Sequence, residues 1–545
     1  MKSLVRLTVA SLLTLPFSSG LASAQAPPAP APAGAPPPTA PDAAPVPSPA
    51  PAPDATPPPA LTPAPPPAAP APMVPKGPEW TSLRLLHDKG VISDAELDSA
   101  LKDIGIMGAG DATTLVLAKL RATIYGFAQA DYSYESTQTC VDFCSNAQVA
   151  KDTVYKGNHG RTIFSPQDSR FGVRLSAPVE GGIKASGVVE TDFFGPTTTT
   201  EQGTFSNPVL RVRNAYVKLE TPVVDLLLGQ TWSLFGWQPN FLIASVQLPG
   251  LPGQMFERTM QLKVSKTIKS DAVNAELAIA ANRPPQEDSA TPEGVAGVKI
   301  NFNKWTGQHS PYLSSTSIIP ASIAVSGDLR RFRFPEFAAV PHTGETLTGG
   351  GVAFDVYLPI IPATKANKDN SLSLTGELTI GSGTSDMYTA MGAAGTANAS
   401  LPPAMPGGAA VPYVANFDPG LAAVDATGHF ELIKWTTYAA GLEYYLPGLD
   451  GRLGLLADFQ HSESPNAKNV GTAATIAGAS AAAMAAATAA QAKIRDHEEF
   501  YEVGVFGDPT KATRLALGGS VFDDTYGDGK DAKNYVVMMS GWIFF

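Results

Sequence analysis

The chain has 545 residues, a formal net charge of -11 and a charged fraction of 16%, which is below the roughly one quarter that is usual in soluble domains. Net negative charge argues against a nucleic-acid partner, because phosphates attract basic surfaces. Low charge with 50 glycines instead suits a protein whose outer surface meets lipid. The seven histidines show no metal-binding spacing and no catalytic motif occurs, so we predict neither a cofactor, a metal site nor an enzyme activity.

The first 24 residues have the composition of a secretory signal peptide. Lys2 and Arg6 form a positive region, Leu7 to Phe17 form a short apolar run, and small residues follow at 22–24. The apolar run is too short to span a bilayer as a helix. We therefore predict that residues 1–24 are cleaved and that the mature protein resides in a bacterial envelope.

Two different segments separate the signal peptide from the remainder of the chain. Residues 25–78 are almost entirely Pro and Ala, a composition that favours extended conformations and predicts a disordered linker. Residues 79–105 have apolar residues at helical spacing, with Ser93 and Glu96 placed as a capping box. They predict a small helical hairpin that resembles the SHOCT type and that could bind a periplasmic partner.

From Thr123 onward the period of hydrophobicity changes from helical to two. In "TIYGFAQADYSY", for example, Ala128 and Ala130 alternate with Gln129 and Asp131. Such runs of about ten residues match tilted transmembrane strands with a lipid-facing outside and a wet inside. About sixteen of them follow one another, joined alternately by short turns and long polar or Gly-rich stretches. Residues 122–545 therefore predict an all-β fold, a transmembrane antiparallel β-barrel of about 16 strands.

Cys140 and Cys144 lie close together in a polar connection after the first predicted strand. In an oxidising compartment an intervening turn can bring their Cα atoms within bridging distance. A disulfide that staples this loop is the favoured interpretation, and two free thiols are the alternative.

One connection is unusually apolar for a loop. The segment Phe235 to Gln254, "FGWQPNFLIASVQLPGLPGQ", joins the fifth and sixth predicted strands, and its apolar side chains need cover. We predict that it folds into the barrel lumen and narrows the pore. The alternative is a contact between protomers of a trimer on the outside of the barrel.

Two features near the C-terminus also bear on the fold. The segment Gly471 to Ala492 is uncharged but nearly all Ala, Gly and Thr, so we predict a helix in an outer loop instead of a membrane-spanning helix. The last strand, "NYVVMMSGWIFF", is apolar throughout, as expected of a strand that must pair with the first one to close a barrel. Its Phe545 resembles the terminal aromatic by which outer-membrane barrels are recognised for assembly.

Charged residues on the predicted inward faces are the candidate site. Arginine keeps its charge and binds carboxylate or phosphate in a bidentate manner, which suits an anion path through a pore. Alternatively each arginine pairs with an inward acid and only stiffens the wall. The parity of the fourth predicted strand places Ala215, Val217 and Leu219 inside together with Arg211 and Arg213, so a bulge must intervene or the facing is wrong. The candidates are Arg170, Arg174, Arg211, Arg213 and Arg330, with the acids Glu190 and Asp192.

The motifs "VETDFFG", "LRVRNAYVKLE", "LLLGQTWSLFG", "ERTMQLKVSKTI" and "AIAANRP" resemble strands of DcaP-type porins. The resemblance covers roughly residues 123 to 545. It implies a homotrimer of sixteen-stranded channels in the outer membrane, in contact with its lipid, that passes small anionic solutes such as dicarboxylates. The alternative function is a barrel anchor that ties the outer membrane to a periplasmic partner through residues 79–105.

Overall fold

The computed structural model of the protein describes most of the predicted barrel, namely residues 85–87, 89, 91, 114–117, 120–138, 149–195, 209–247, 250–286, 289–335, 342–389, 391, 420–424, 430–469 and 481–545. The predicted signal peptide, the Pro/Ala linker and the pair Cys140 and Cys144 lie outside the described residues. Of the predicted hairpin, residues 85–87, 89 and 91 are described, and residues 85–87 are helical.

Antiparallel strands make up most of the described chain. Their bounds are Thr114–Leu117 (β1), Leu120–Glu135 (β2), Arg161–Ser165 (β3), Arg170–Ser176 (β4), Lys184–Asp192 (β5), Arg211–Glu220 (β6), Asp225–Trp232 (β7), Arg258–Lys269 (β8), Val273–Asn282 (β9), Glu293–His309 (β10), Ser317–Pro335 (β11), Gly344–Ile361 (β12), Ser371–Ser382 (β13), Ala422–Val424 (β14), Phe430–Leu432 (β15), Lys434–Tyr445 (β16), Leu453–Glu463 (β17), Arg495–Thr510 (β18), Thr513–Tyr526 (β19) and Asp531–Phe544 (β20).

These strands close into a barrel. Each pairs with its neighbours along the chain, β3 and β4 both pair with β2 as one interrupted strand, and β14 and β15 form a separate hairpin. The last strand, β20, pairs with β2, and the N–H groups of Gly126 and Phe545 each donate to the carbonyl of the other, at 3.0 and 3.1 Å. In the described part of the chain this makes sixteen strand positions around the barrel, so the predicted fold class is confirmed.

Side chains alternate between the lumen and the outside as predicted. On β2, Gln129, Asp131 and Glu135 are buried inside, whereas Ala128 and Ala130 are exposed outside. Large apolar side chains dominate the exposed positions of many strands, and such a surface is stable only in apolar surroundings. Examples are Val189, Val217, Leu228, Leu262, Ile279, Phe354, Leu517, Val537 and Met539.

The two ends of the barrel differ. The short-turn end carries brief connections such as 221–224 and 511–512, together with Leu120 and Phe545. The long-loop end carries connections such as 233–257 and 464–494. This alternation is typical of transmembrane barrels, in which the short turns face the periplasm.

The Ala-rich connection at the long-loop end contains the helix Ala481–Gln491, which confirms the helical prediction for that part of Gly471 to Ala492. The described helices are all too short or too polar to cross a membrane. Further short 3₁₀ turns occur at Tyr155–Asn158, Phe235–Trp237, Pro311–Leu313, Ser385–Met387 and Ala467–Asn469.

Gly350 on β12 lies at a position in the pairing with β11 where only glycine fits without strain. Its φ is 125°, and an added Cβ would overlap the carbonyl oxygen of Asp328. We expect Gly350→Ala to lower the thermal unfolding temperature of the barrel. A non-glycine residue with this φ is destabilised by on the order of 1–3 kcal/mol, and the steric overlap of its Cβ with the Asp328 carbonyl adds to that cost. Gly294→Ala is the matched control, since a Cβ there meets nothing within 4 Å. Circular dichroism measures the unfolding temperatures, and equal values for the two variants would contradict this prediction.

Candidate functional site

The apolar connection between β7 and β8 lies inside the barrel. Phe241, Ile243 and Val246 are buried to at least 98% of their surface. Ile243 lies against Gly441 on β16, and Val246 lies against Gly504 and Gly518 on β18 and β19, where the missing side chains leave room for it. The lumenal position predicted for Phe235 to Gln254 is therefore confirmed for its described residues. Its alternative placement on the outside of the barrel is wrong.

Carboxylates of the barrel wall hold this lumenal loop in place. Glu377 on β13 accepts hydrogen bonds from the Met255 N–H at 2.7 Å and the Gln238 side chain at 2.9 Å. Glu502 on β18 accepts from the N–H groups of Val246 and Gln247 at 3.0 and 3.1 Å. These hydrogen bonds satisfy backbone donors that the loop carries away from bulk water. Glu377 and Glu502 therefore anchor the loop to the barrel wall.

A second segment enters the lumen from the short-turn end. The turn between β10 and β11 contains the 3₁₀ helix Pro311–Leu313. The N–H of Ser310 donates to Glu443 at 2.9 Å, and Arg514 donates to the Leu313 carbonyl at 2.8 Å. The side chain of Leu313 is fully buried in the same apolar cluster as Val246 of the lumenal loop. Segments from both ends of the barrel thus meet in the lumen and narrow it.

A cavity of about 940 Å³ opens between this turn and the wall at the short-turn end. Seven basic and three acidic side chains line it, an excess of four positive charges. The basic residues are Arg170, Arg174, Lys365, Lys368, Arg452, Lys511 and Arg514, and the acidic ones are Glu190, Asp450 and Asp508. The excess runs against the net negative charge of the whole chain, so positive charge is concentrated in this cavity.

Arg170 and Arg174 project into this cavity without an ion pair among the described residues. The guanidinium of Arg170 lies over the rings of Phe127 and Tyr312, at 5.0 and 5.6 Å from their centroids. Its Nε and Nη2 atoms are buried and have no hydrogen-bond partner in the described part of the chain. Arg174 is exposed and lies 4.0 Å from the ring centroid of Tyr125. The exposed guanidinium of Arg174 is available to bind an anion, whereas Arg170 contributes a positive charge from a partly buried position behind the aromatic rings.

Arg211 and Arg213 are instead paired with acids of β5. Asp192 accepts from Arg211 at 3.0 and 2.6 Å and from Arg213 at 2.8 Å, and Glu190 accepts from Arg213 at 2.9 Å. The register of β5 and β6 shifts between Glu190 and Thr191, which leaves Arg213 as the extra residue of a bulge. The bulge turns both arginines inward while Ala215 and Val217 remain on the outer side, and it resolves the conflict of parity.

Arg330 follows the alternative given for the inward arginines, because it is paired with acids of the wall and of a neighbouring connection. Arg330 is fully buried, and it donates to Glu293 at 2.8 Å, to Asp386 at 2.6 Å and to the Gly383 carbonyl at 2.7 Å. Buried carboxylates require a counter-charge, and Arg330 supplies it.

A further acid of this cluster remains without a cation of its own. Glu257, in the connection before β8, is half-buried as a residue, and its Oε2 atom is buried without a hydrogen-bond partner among the described residues. Burial, followed by the repulsion of Glu293, raises the pKa of Glu257 to about 8. The Arg330 cluster is therefore a structural element of the wall.

Five basic cavity residues were missing from the sequence-based candidates: Lys365, Lys368, Arg452, Lys511 and Arg514. They lie in or beside the short turns that connect β12 to β13, β16 to β17 and β18 to β19. The sequence signal that could have identified them is the recurrence of basic residues in the short turns at one end of the predicted barrel. The inward turn at 310–316 had a weaker signal, a connection longer than the pattern of short turns.

Comparison with known proteins identifies the fold. Neither a protein-family model nor a curated protein sequence matches the chain. The outer membrane channel DcaP of Acinetobacter baumannii is similar in structure, with a TM-score of 0.52 and 16% identity over 79% of this chain and 99% of that one. The predicted resemblance to DcaP-type porins is thus confirmed at the level of the fold.

Two further solved barrels are more distant. OprB of Pseudomonas putida has a TM-score of 0.45 and 10% identity, covering 77% of this chain and 94% of its own. An anion-selective porin from Comamonas acidovorans has a TM-score of 0.43 and 11% identity, covering 78% and 100%.

Proposed function

We propose that this protein is a passive diffusion channel of the bacterial outer membrane that favours small anionic solutes. The observation that carries the proposal is the lumenal cavity of about 940 Å³, with its excess of four positive charges. The similarity of fold to a protein described as an outer membrane channel supports the location and the general activity. The apolar outer face of the strands is consistent with lipid as the surroundings.

The charge of the cavity acts on a solute in two ways. Positive groups within a low-dielectric wall raise the local concentration of anions, and the effect reaches about one Debye length, roughly 10 Å at 0.1 M salt. The exposed guanidinium of Arg174 then offers bidentate hydrogen bonds that replace part of the hydration shell of a carboxylate, and Arg170 adds a positive charge nearby. A small molecule with two carboxylates could engage these arginines and the lysines of the turns together. We therefore propose dicarboxylates as the favoured class of solute.

The homotrimer implied by the DcaP-type resemblance remains a proposal for this chain, as does export by a cleaved signal peptide. The alternative function, an anchor that binds a periplasmic partner through residues 79–105, gains no supporting observation from the described residues. A channel is the function that the described geometry supports best.

The proposal is tested by conductance and ion selectivity in planar bilayers. The purified full-length protein should give stepwise ohmic conductance, because a cavity lined by charged and polar side chains opens into the barrel from the short-turn end. In a gradient of KCl the reversal potential should have the sign that marks chloride as the more permeant ion. Silence across many insertions of a folded barrel would contradict the channel, and a potential of the opposite sign would contradict the anion preference.

A further inference from the structure

Two histidines and two glutamates form a compact group outside the lumen, at the long-loop end of β17 and β18. The two strands pair so that His461 is opposite Glu499 and Glu463 is opposite His497. All four side chains point away from the lumen, since the alternate residues Ser462 and Glu498 are buried inside. Histidine and glutamate thus alternate both along and across the strands.

The distances in this group match those of a metal site. Ligand atoms of His461, Glu463 and His497 all lie within 4.8 Å of one another, and the His461 Nε2 to Glu463 Oε2 distance is 3.8 Å. In a tetrahedral zinc site with bonds of about 2.0–2.1 Å the ligand atoms are roughly 3.3 Å apart. Small rotations of exposed side chains close the difference, because Glu463 is 63% exposed and His497 is 32% exposed.

Glu499 lies where an orienting carboxylate is expected. Its Oε1 atom is 3.4 Å from Nδ1 of His461, the ring nitrogen on the side away from Glu463. A carboxylate at this position fixes the imidazole of a metal ligand with its other nitrogen toward the ion. Glu499 is itself held by the Tyr501 hydroxyl, which donates to its Oε2 at 2.6 Å. Tyr438 stacks on the His461 ring at 4.8 Å between centroids and limits its rotation.

The group is placed where an ion from the medium can reach it. Phe459 and Tyr501 lie one step further down the same outer face, and aromatic side chains of this kind mark the interface between lipid and water in transmembrane barrels. His461, Glu463 and His497 therefore lie at or above the level of the lipid headgroups. The sequence showed no metal spacing because the ligands come from two strands that only the register brings together.

We propose that His461, Glu463 and His497 bind a divalent transition-metal ion of the Zn²⁺ class. Two imidazoles and one carboxylate are the ligand set of many zinc sites that keep a fourth position open to solvent. Imidazole ligands favour zinc, nickel and copper over the hard cations magnesium and calcium. Glu499 is a positioning residue that acts through His461.

Isothermal titration of the detergent-solubilised full-length protein, purified without a histidine tag, tests the site with ZnCl₂. We expect one ion per protomer, loss of this binding in His461→Ala and His497→Ala, and an affinity about 10-fold to 100-fold lower in Glu499→Gln. His159→Ala is the matched control, because His159 is exposed and lies in a different part of the barrel, next to Tyr155. MgCl₂ and CaCl₂ should give no comparable binding.

The outcomes separate the site from its alternatives. Unchanged zinc affinity in both histidine variants, or the same loss in His159→Ala, would overturn the proposal. Binding of magnesium as tight as that of zinc would also overturn it, since carboxylates alone would then account for the ion. The variants lie on the outer face, so circular dichroism and bilayer conductance should be unchanged in all of them. The result is independent of the ion selectivity of the channel.

Discussion

Replacement of residues 240–251 by a short Gly-Ser connection should raise the unit conductance of the channel several-fold. These residues fill part of the lumen with fully buried side chains such as Phe241 and Leu251, and they displace water through which ions would move. Their removal leaves Glu502 without its backbone partners, but the carboxylate then faces water and keeps its hydration. The barrel should therefore remain folded. Single-channel recordings in planar bilayers measure the change.

Deletion of the helix Ala481–Gln491 is the matched control for this prediction. It removes a similar length of chain from the same end of the barrel, and its described side chains are exposed. We expect its conductance to equal that of the unaltered protein. If the lumenal deletion leaves the conductance unchanged while the barrel is folded, residues 240–251 do not limit the pore. A loss of the oligomer in the lumenal deletion would show that the loop also supports contacts between protomers.

Neutralisation of both free guanidinium groups in Arg170→Gln/Arg174→Gln should weaken the preference for anions. The variant lowers the excess of positive charges around the cavity from four to two. In water one unit charge about 6 Å from an ion contributes about 0.7 kcal/mol, so two contribute about 1.4 kcal/mol before screening by salt. We expect the ratio of chloride to potassium permeability to fall by about threefold to tenfold. The reversal potential in a KCl gradient measures this ratio.

Arg331→Gln serves as the control for charge. Arg331 lies on β11 with an exposed side chain on the outer face, so the variant removes a positive charge without touching the cavity. Its reversal potential should equal that of the unaltered protein. Equal shifts in the cavity variant and in this control would mean that the total charge of the protein, and not the cavity, sets the selectivity. No shift in either would contradict the role assigned to Arg170 and Arg174.

Local periodicity was enough to predict the barrel. Side chains of a strand alternate between its two faces, so the pattern around Gln129 and Asp131 defined which face meets the lumen before any pairing was known. The lumenal loop followed from a similar argument, because side chains such as Phe241 and Ile243 must be covered wherever the loop lies. These conclusions need only the identity of neighbouring residues and the preference of apolar groups for apolar surroundings.

The tertiary structure decided which partners each charged side chain has. Arg170 and Arg330 looked alike in the sequence, yet Arg170 lines the cavity without an ion pair among the described residues and Arg330 neutralises Glu293 and Asp386. The turn at 310–316 and the pairing of His461 with Glu499 bring together residues from distant parts of the chain. Partners of a side chain depend on strand register, on bulges and on the folding of loops into the lumen, and these arise from the closed barrel as a whole. The sequence of a single strand does not specify which residues of the adjacent strands lie beside it. Only the three-dimensional structure therefore distinguishes an arginine without an ion pair from a paired one.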